Sequence, residues 1–235
     1  TRLLMRLMSS SVFLSEILIA HPELIDGLIR AGASGPLRSR DELAGDLAER
    51  LRQADDEEEV FEALRVFRTE ETLRIGFHDV IGNLELEALT AQLSDVAEVC
   101  LAAALDWTLE QTTARYGRPM GEDRRPARFG VLGLGKLGGQ EINYGSDLDL
   151  CFVTEAGAKR LPALQRFAAR LLELLSKRTE QGIVFVTDAR LRPDGEKGLL
   201  VNTVAAHEDY YRNRARLWEL QALSRDAVLQ DYGRG

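Results

Sequence analysis

What this sequence lacks narrows it first. Two cysteines, Cys100 and Cys151, in 235 residues cannot build a disulfide framework. Cys100 falls in a helical pattern and Cys151 in a buried-strand pattern, so both read as core thiols, and a reducing cytoplasm fits. No uninterrupted apolar run approaches the ~20 residues of a membrane span. The Thr1–Leu7 segment carries Arg2 and Arg6 but leads into no cleavage-type tail, which argues against a secretory signal. His21, His78 and His207 are scattered without ligand spacing, which argues against zinc. Positive charge is short as well: 30 Lys and Arg against 38 Asp and Glu leave a net charge of −8. A protein that grips DNA or tRNA by its phosphates normally carries a basic excess or stripe. Neither a nucleic acid nor a membrane is therefore expected as partner. There is no internal repeat and no low-complexity stretch. The missing initiator methionine, with a start inside a helical pattern, leads us to expect a piece of a longer polypeptide.

What is present is an ordinary globular composition, 45% hydrophobic and 29% charged, with length for one large or two small domains. Thr1 to about Gly117 reads as all-helical. Ser11–Ala20 is apolar at helical spacing, His21-Pro22-Glu23 restarts into Leu24, Ile25, Leu28 and Ile29, and Ala31–Pro36 is a loop. Asp41–Arg52 repeats Leu43, Leu47 and Leu51 on one face. The acidic run Asp55–Glu59 reads as the solvated first turn of a helix. That helix reaches about His78, with Phe61, Leu64, Phe67 and Leu73 inward. Leu84–Tyr116 is the longest periodic segment, with Leu86, Leu89, Leu93, Val96, Cys100, Ala103 and Trp107 inward. The polar, basic stretch Pro119–Pro126 marks a boundary between a helical domain, 1–118, and a second domain, 119–235.

Beyond it the pattern changes. Phe129–Leu134 is an apolar run of strand length, Asp147–Thr154 a second strand, Leu161–Lys177 an amphipathic helix and Gly182–Pro193 a third strand. Leu199–Asn202 is a short extended piece, and helices are expected over about Ala205–Asn213 and Leu217–Val228. The fold class is α+β, an all-helical region followed by a small mixed sheet flanked by helices.

The most informative stretch is Gly133–Val153. A Gly-rich turn is followed by Asp147 and Asp149, which share one face of a strand while Leu148 and Leu150 face the core. Two adjacent carboxylates repel each other unless a cation sits between them, and a hard cation such as Mg²⁺ prefers such an oxygen site, shared with substrate phosphates. The glycines before it offer backbone N–H groups for those phosphates. A lone Asp-x-Asp is as often a solvated strand end. Gly133-x-Gly135-x-x-Gly138 also matches a dinucleotide fingerprint, but no long helix follows it; Gln140–Ser146 runs straight into the Asp-x-Asp strand. Further on, Asp188, Arg190 and Arg192 share a strand parity. Asp188 would complete a triad able to hold two divalent ions or serve as base near an incoming nucleophile, and the two arginines could take phosphate oxygens. Taken alone, those three read more plainly as a strand-end ion-pair ladder; beside the upstream Gly-rich and Asp-x-Asp stretch they read as part of the site. Trp218 and Glu219 are expected to pack on the sheet, and Arg225 to reach the site or form a surface ion pair.

The run Gly133-Leu-Gly-Lys-Leu-Gly-Gly-x-Glu-x-x-x-Gly-Ser-Asp-Leu-Asp-Leu, then Asp188-x-Arg-Leu-Arg-Pro-x-Gly195, then Trp218-Glu-x-Gln-Ala-Leu-x-Arg225, resembles the glutamine synthetase adenylyltransferase family of the DNA polymerase β-like nucleotidyltransferase superfamily. Phe13-Leu-Ser-Glu-Ile-Leu-x-x-His-Pro-Glu-Leu, Leu64-Arg-x-Phe-Arg and Leu73-Arg-Ile are similar to its helical lead-in. The resemblance implies transfer of AMP from ATP to a tyrosine of glutamine synthetase in the control of nitrogen assimilation. It implies Mg²⁺ on Asp147, Asp149 and Asp188, with Gly135, Lys136, Gly138, Gly139, Ser146, Arg190 and Arg192 on the nucleotide. It also implies glutamine synthetase as partner, with a PII-type signalling protein acting on the full-length protein. Gly145-Ser146 and the Trp-Glu-x-Gln-Ala-Leu ending look more like the family's attaching half than its phosphorolytic, removing half. A deadenylylating half and a non-catalytic docking module for glutamine synthetase stay open as alternatives.

Overall fold

Helix starts in the first half are set by caps written in the sequence. A computed structural model describes residues 2–25, 27, 35–118, 120, 125–155, 161–179, 182–223 and 227–232. Leu28, Ile29, most of the 31–36 loop, most of the 119–126 boundary segment and Arg225 lie outside the described residues. Helices α1 (Arg2–Ser10) and α2 (Val12–Ala20) meet at Ser11, whose hydroxyl accepts from the Leu14 N–H. Helix α3 (Arg40–Arg52) opens on a capping box: the Ser39 hydroxyl accepts from the Glu42 N–H, and the Glu42 carboxylate accepts from the Ser39 N–H. Such a pair satisfies two donors that a helix start otherwise leaves orphaned. Helix α4 (Glu57–Val80) is capped by Asp56, which accepts from Glu58 and Glu59. The acidic run is thus the exposed first turn expected of it.

The described chain divides into two compact units. The first takes the described residues of Thr1–Cys100 together with Glu141–Gly145 and Glu180–Gly182; the second takes those of Leu101–Gln140, Ser146–Thr179 and Ile183–Gly235. Helix α5 (Leu86–Tyr116) contributes to both. It is long and apolar enough, by length and composition, to cross a membrane, but 61% of that apolar window is buried inside the protein, the pattern of a core helix. Glu87, Gln92, Asp95, Glu98 and Asp106 break it into short apolar runs. Leu89, Leu93, Val96 and Cys100 are buried as the periodicity predicts, whereas Leu86 is exposed. Leu101, Ala104, Leu105 and Thr108 are buried too, so more than one face of α5 is covered.

In the first unit, Phe61, Leu64, Phe67 and Leu73 of α4 and Leu43 and Leu47 of α3 are buried; Leu51 is only half-buried. Charge is buried there as well. Glu71 pairs with Arg74 at 2.7 Å, both side chains nearly sealed from solvent, and with Arg38. Arg74 also donates to the Pro36 carbonyl and to Gln92, and Gln92 exchanges two hydrogen bonds with the Arg38 backbone. Burying these ions is tolerable only because each is met by partners.

The second unit is built on a five-stranded mixed sheet: β1 (Phe129–Leu134), β2 (Leu148–Thr154), β3 (Thr187–Asp188), β4 (Val201–Thr203) and β5 (Ala227–Tyr232). β2 is central and mostly buried, pairing antiparallel with β1 on one edge. Its other edge takes β3 at Leu148–Asp149 and β4 at Phe152–Thr154, both parallel. β5 pairs antiparallel with the far edge of β1. A one-turn helix, α6 (Gly135–Gly138), follows β1 directly. Helix α7 (Leu161–Ser176) buries Leu164, Phe167, Leu171, Leu174 and Leu175 as its periodicity predicts, and Phe167 meets Phe129 edge-on at 5.0 Å. Helices α8 (Val204–Asn213) and α9 (Leu217–Leu223) follow β4.

Two sequence expectations fail here. The third strand is only Thr187–Asp188, with Ala189–Leu200 leaving the sheet in bends and a 3₁₀ turn before β4. The last helix stops at Leu223, and Ala227–Tyr232 is strand β5. An unpaired β1 edge offers a ladder to any neighbouring extended segment, and that outweighs the helical periodicity of the sequence. Both cysteines are buried free thiols, as expected, pushed up to about 12 by burial.

Candidate functional site

The site is assembled where β2 begins. Asp149 is the second residue of β2, and its ladder partners are Leu134, the last residue of β1, and Asp188, the last of β3. Asp147 stands one residue ahead of the strand. The parallel register of β2 and β3 therefore delivers Asp188 beside Asp149, and the two-residue side-chain period brings Asp147 to the same side. One carboxylate oxygen from each of Asp147, Asp149 and Asp188 lies within 4.8 Å of the others, with Asp147 exposed and the other two half-buried.

The charges have unequal fates. Burial, and then the neighbouring Asp147 and Asp188, push the Asp149 carboxyl up to about 6. Asp188 is held below its ordinary range, chiefly by Arg190. The Arg190 Nε donates to both Asp188 oxygens at 2.9 and 2.8 Å, its Nη2 donates to Oδ2, and its backbone N–H donates to Oδ1 at 2.8 Å. Arg192 does not stand beside Arg190 on a strand. The bend after β3 turns it toward carbonyls, and it donates to Ala189 O and, at longer range, to Gly198 O and Glu196 O. Gly198 is required in that excursion, since a Cβ there would meet the Pro193 carbonyl oxygen at 1.9 Å.

Gly135 closes the other side. Its φ is +57°, a conformation costly for residues with a Cβ, and a Cβ there would sit 2.8 Å from Asp149 Oδ2. It opens α6, where the first N–H groups of a helical turn have no partner within the helix. The Gly139 N–H is already bonded to Gly135 O. Of the residues chosen from sequence, Lys136 is exposed, while Gly138, Gly139 and Ser146 are half-buried. Lys136 is close enough to favour the ionised form of Asp149.

Trp218 is 55% exposed rather than packed on the sheet. Its neighbour Glu219 is the buried member, accepting from Tyr210 Oη at 2.8 Å and from the Arg216 N–H at 2.7 Å. This anchor was not read from the sequence; the only signal was a lone Glu within an apolar helix. Also unread was the pairing of His207 with Cys151, whose Sγ and Nε2 are 3.2 Å apart. The Thr203 carbonyl can only accept from His207 Nδ1, so Nε2 is the acceptor for the thiol. Burial lowers the His207 affinity for a second proton, which makes this a neutral core contact.

Hard oxygen donors converging on one point, with a carboxylate whose ionisation is suppressed by its neighbours, fit a hard divalent cation, which would relieve that repulsion. Fold and site together define an α+β protein with a carboxylate centre suited to such a cation. The chain belongs to the glutamate-ammonia ligase adenylyltransferase family, whose model matches residues 1–233. It is similar to three proteins named bifunctional glutamine synthetase adenylyltransferase/adenylyl-removing enzyme. The protein of Thioalkalivibrio sulfidiphilus is 37% identical over 234 residues, 96% of this chain and 24% of the relative. That of Pseudomonas putida is 38% identical over 244 residues, 97% of this chain and 25% of the relative. That of Shewanella loihica is 36% identical over 238 residues, again 97% and 25%. The chain thus spans about a quarter of the length of the curated relatives it matches.

Proposed function

We propose that this chain carries the nucleotidyl-transfer centre that moves AMP from ATP to a tyrosine hydroxyl of glutamine synthetase, on a polymerase β-like nucleotidyltransferase domain over 119–235 preceded by a helical domain over 1–118. The observation that carries the reading is the convergence of Asp147, Asp149 and Asp188 within 4.8 Å in a chain of this family. The attaching half is favoured by Gly145-Ser146 ahead of Asp147 and by the Trp218-Glu219 motif.

Asp147, Asp149 and Asp188 would hold Mg²⁺, which when bound neutralises charge developing on the phosphates. The remaining work belongs to the chain. Lys136, Ser146 and the backbone of Gly135, Gly138 and Gly139 would hold the triphosphate so that its α-phosphorus faces the incoming hydroxyl. Gly139 would have to give up its helical bond to do so. The tyrosine oxygen forms a bond to that phosphorus, the bond to the β-phosphate oxygen breaks, and pyrophosphate departs in line. Asp188, which Arg190 keeps ionised, would take the hydroxyl proton once one of its oxygens is released from Arg190. Arg190 and Arg192 could serve phosphate only by exchanging their present partners. Positioning and charge stabilisation supply most of the rate in such a transfer. In the longer polypeptide, a PII-type protein would be the regulator. The setting would be cytoplasmic, with neither nucleic acid nor membrane as partner.

Calorimetry of ATP with and without Mg²⁺, on wild type and on Asp149→Asn, tests this. Metal-dependent binding that disappears in the variant supports it and leads to an adenylylation assay on glutamine synthetase. Equal binding in both overturns it.

A further inference from the structure

Asp188 enters the carboxylate centre already covered. Its side chain is 14% exposed, and Arg190, two residues on, closes over it. Three N–H groups of Arg190 make four contacts there: the backbone N–H and Nε meet Oδ1 at 2.8 and 2.9 Å, and Nε at 2.8 Å together with Nη2 meets Oδ2. A carboxylate offers about four acceptor sites, so this one residue engages both oxygens. The chain itself fixes the approach. The β3 ladder ends at Asp188, and the turn that follows is closed by the Arg192 N–H on the Arg190 carbonyl at 2.8 Å. Asp188 foremost, then Glu196 and Asp147, stabilise the charged guanidinium. Its charge in turn favours the ionised form of Asp149. Arg190 therefore does for the three carboxylates part of what a bound cation would do, and all of these residues lie in the second compact unit.

The outer side of the guanidinium is open, since the Arg190 side chain is 66% exposed. Its planar fork matches phosphate oxygens as well as it matches a carboxylate. A divalent cation arriving alone must break these hydrogen bonds and meets a positive charge at the same oxygens. One arriving on a triphosphate brings anionic oxygens that take the guanidinium as it leaves. We infer that Arg190 is a specificity-determining residue: it closes Asp188 to a free divalent cation and yields it to a cation carried by a nucleoside triphosphate, whose phosphate oxygens become its new partners. The inference rests on the metal reading proposed above. It adds that cation and nucleotide enter together, each raising the affinity for the other.

The test titrates Mn²⁺ alone, and Mn²⁺ with ATP, into wild type, Asp149→Asn, Arg190→Gln and Arg190→Lys, read by calorimetry. If neither wild type nor Arg190→Gln binds Mn²⁺ in either form, or if Asp149→Asn binds it as wild type does, the metal reading falls and this inference with it. With that reading standing, Arg190→Gln should bind Mn²⁺ alone about fivefold more tightly than wild type, the scale of an ion pair open to solvent on one side. The same variant should bind Mn²⁺ with ATP about tenfold more weakly, through loss of a charged phosphate contact. Arg190→Lys keeps the charge without the fork and should lie between wild type and Arg190→Gln in both titrations. The opposite signs are the signature, because an arginine that only orients Asp188 would weaken both when removed. Arg190→Gln that binds Mn²⁺ alone no more tightly than wild type overturns the inference and leaves the metal reading standing. Unchanged binding of Mn²⁺ with ATP in that variant does the same, since the guanidinium would then not have moved to phosphate. So does Arg190→Lys identical to wild type, since charge alone would then account for the effect.

Discussion

Asp149→Asn is expected to make the metal-free protein more stable while removing its metal-linked nucleotide binding. Burial and two neighbouring carboxylates raise the Asp149 carboxyl from 3.8 to about 6. Each tenfold change in proton affinity is worth ~1.36 kcal/mol, which sets an upper limit of ~3 kcal/mol. The side chain is only half-buried, and solvent screening brings the expected effect to ~1–1.5 kcal/mol. Between about pH 4 and pH 6 the folded protein holds a proton that the unfolded chain has released, so stability falls as pH rises through that window. Asparagine matches the shape of the carboxylate beside Gly135 and carries no charge. Urea denaturation of both proteins at pH 4 and pH 7.5 measures the effect. The variant should be the more stable at pH 7.5, with the gap closing at pH 4. Added Mn²⁺ should raise the midpoint of the wild type alone. A variant no more stable than wild type at pH 7.5 would refute the account of charge repulsion at the site.

Two further outcomes follow from named contacts. Gly135→Ala forces a Cβ to φ +57° and to within 2.8 Å of Asp149 Oδ2. It should cost ~1–2 kcal/mol in backbone conformation alone and weaken Mn²⁺ binding; wild-type values in both measurements would contradict the close approach. Glu71→Ala leaves Arg74 buried without its carboxylate and should destabilise by ~3 kcal/mol, read by urea denaturation, and a loss below ~1 kcal/mol would show that Gln92 and the Pro36 carbonyl satisfy Arg74 unaided.

Local chemistry was legible wherever a short stretch contains its own physics. Ser39 and Glu42, or Asp56 with the amides just beyond it, interact over a single helical turn, so sequence order alone places them together. The same holds for Asp147 and Asp149, whose shared side follows from the two-residue period of a strand, and for the buried stripe of α7. Expectations failed where a local pattern met a competing long-range partner. Ala227–Tyr232 follows a helical stretch and yet lies against β1 as β5, because a strand edge supplies hydrogen-bond partners that no local pattern shows. Arg190 and Arg192 share a parity only if the strand continues. It ends at Asp188, so one arginine closes on that carboxylate and the other turns to carbonyls. Trp218 and Glu219 were both expected to pack on the sheet, but only the carboxylate is buried, on Tyr210, while the indole is exposed.

The sequence by itself determined the helical character of the first half, the Gly-rich turn with its two aspartates, and the family. These depend on residue types at fixed spacing, which the chain order carries directly. Only the tertiary structure decided that Asp188 joins Asp147 and Asp149 and that Asp149 resists ionisation. Each of these depends on distances between residues far apart in the chain, and those distances exist only once strand register and helix packing have been set.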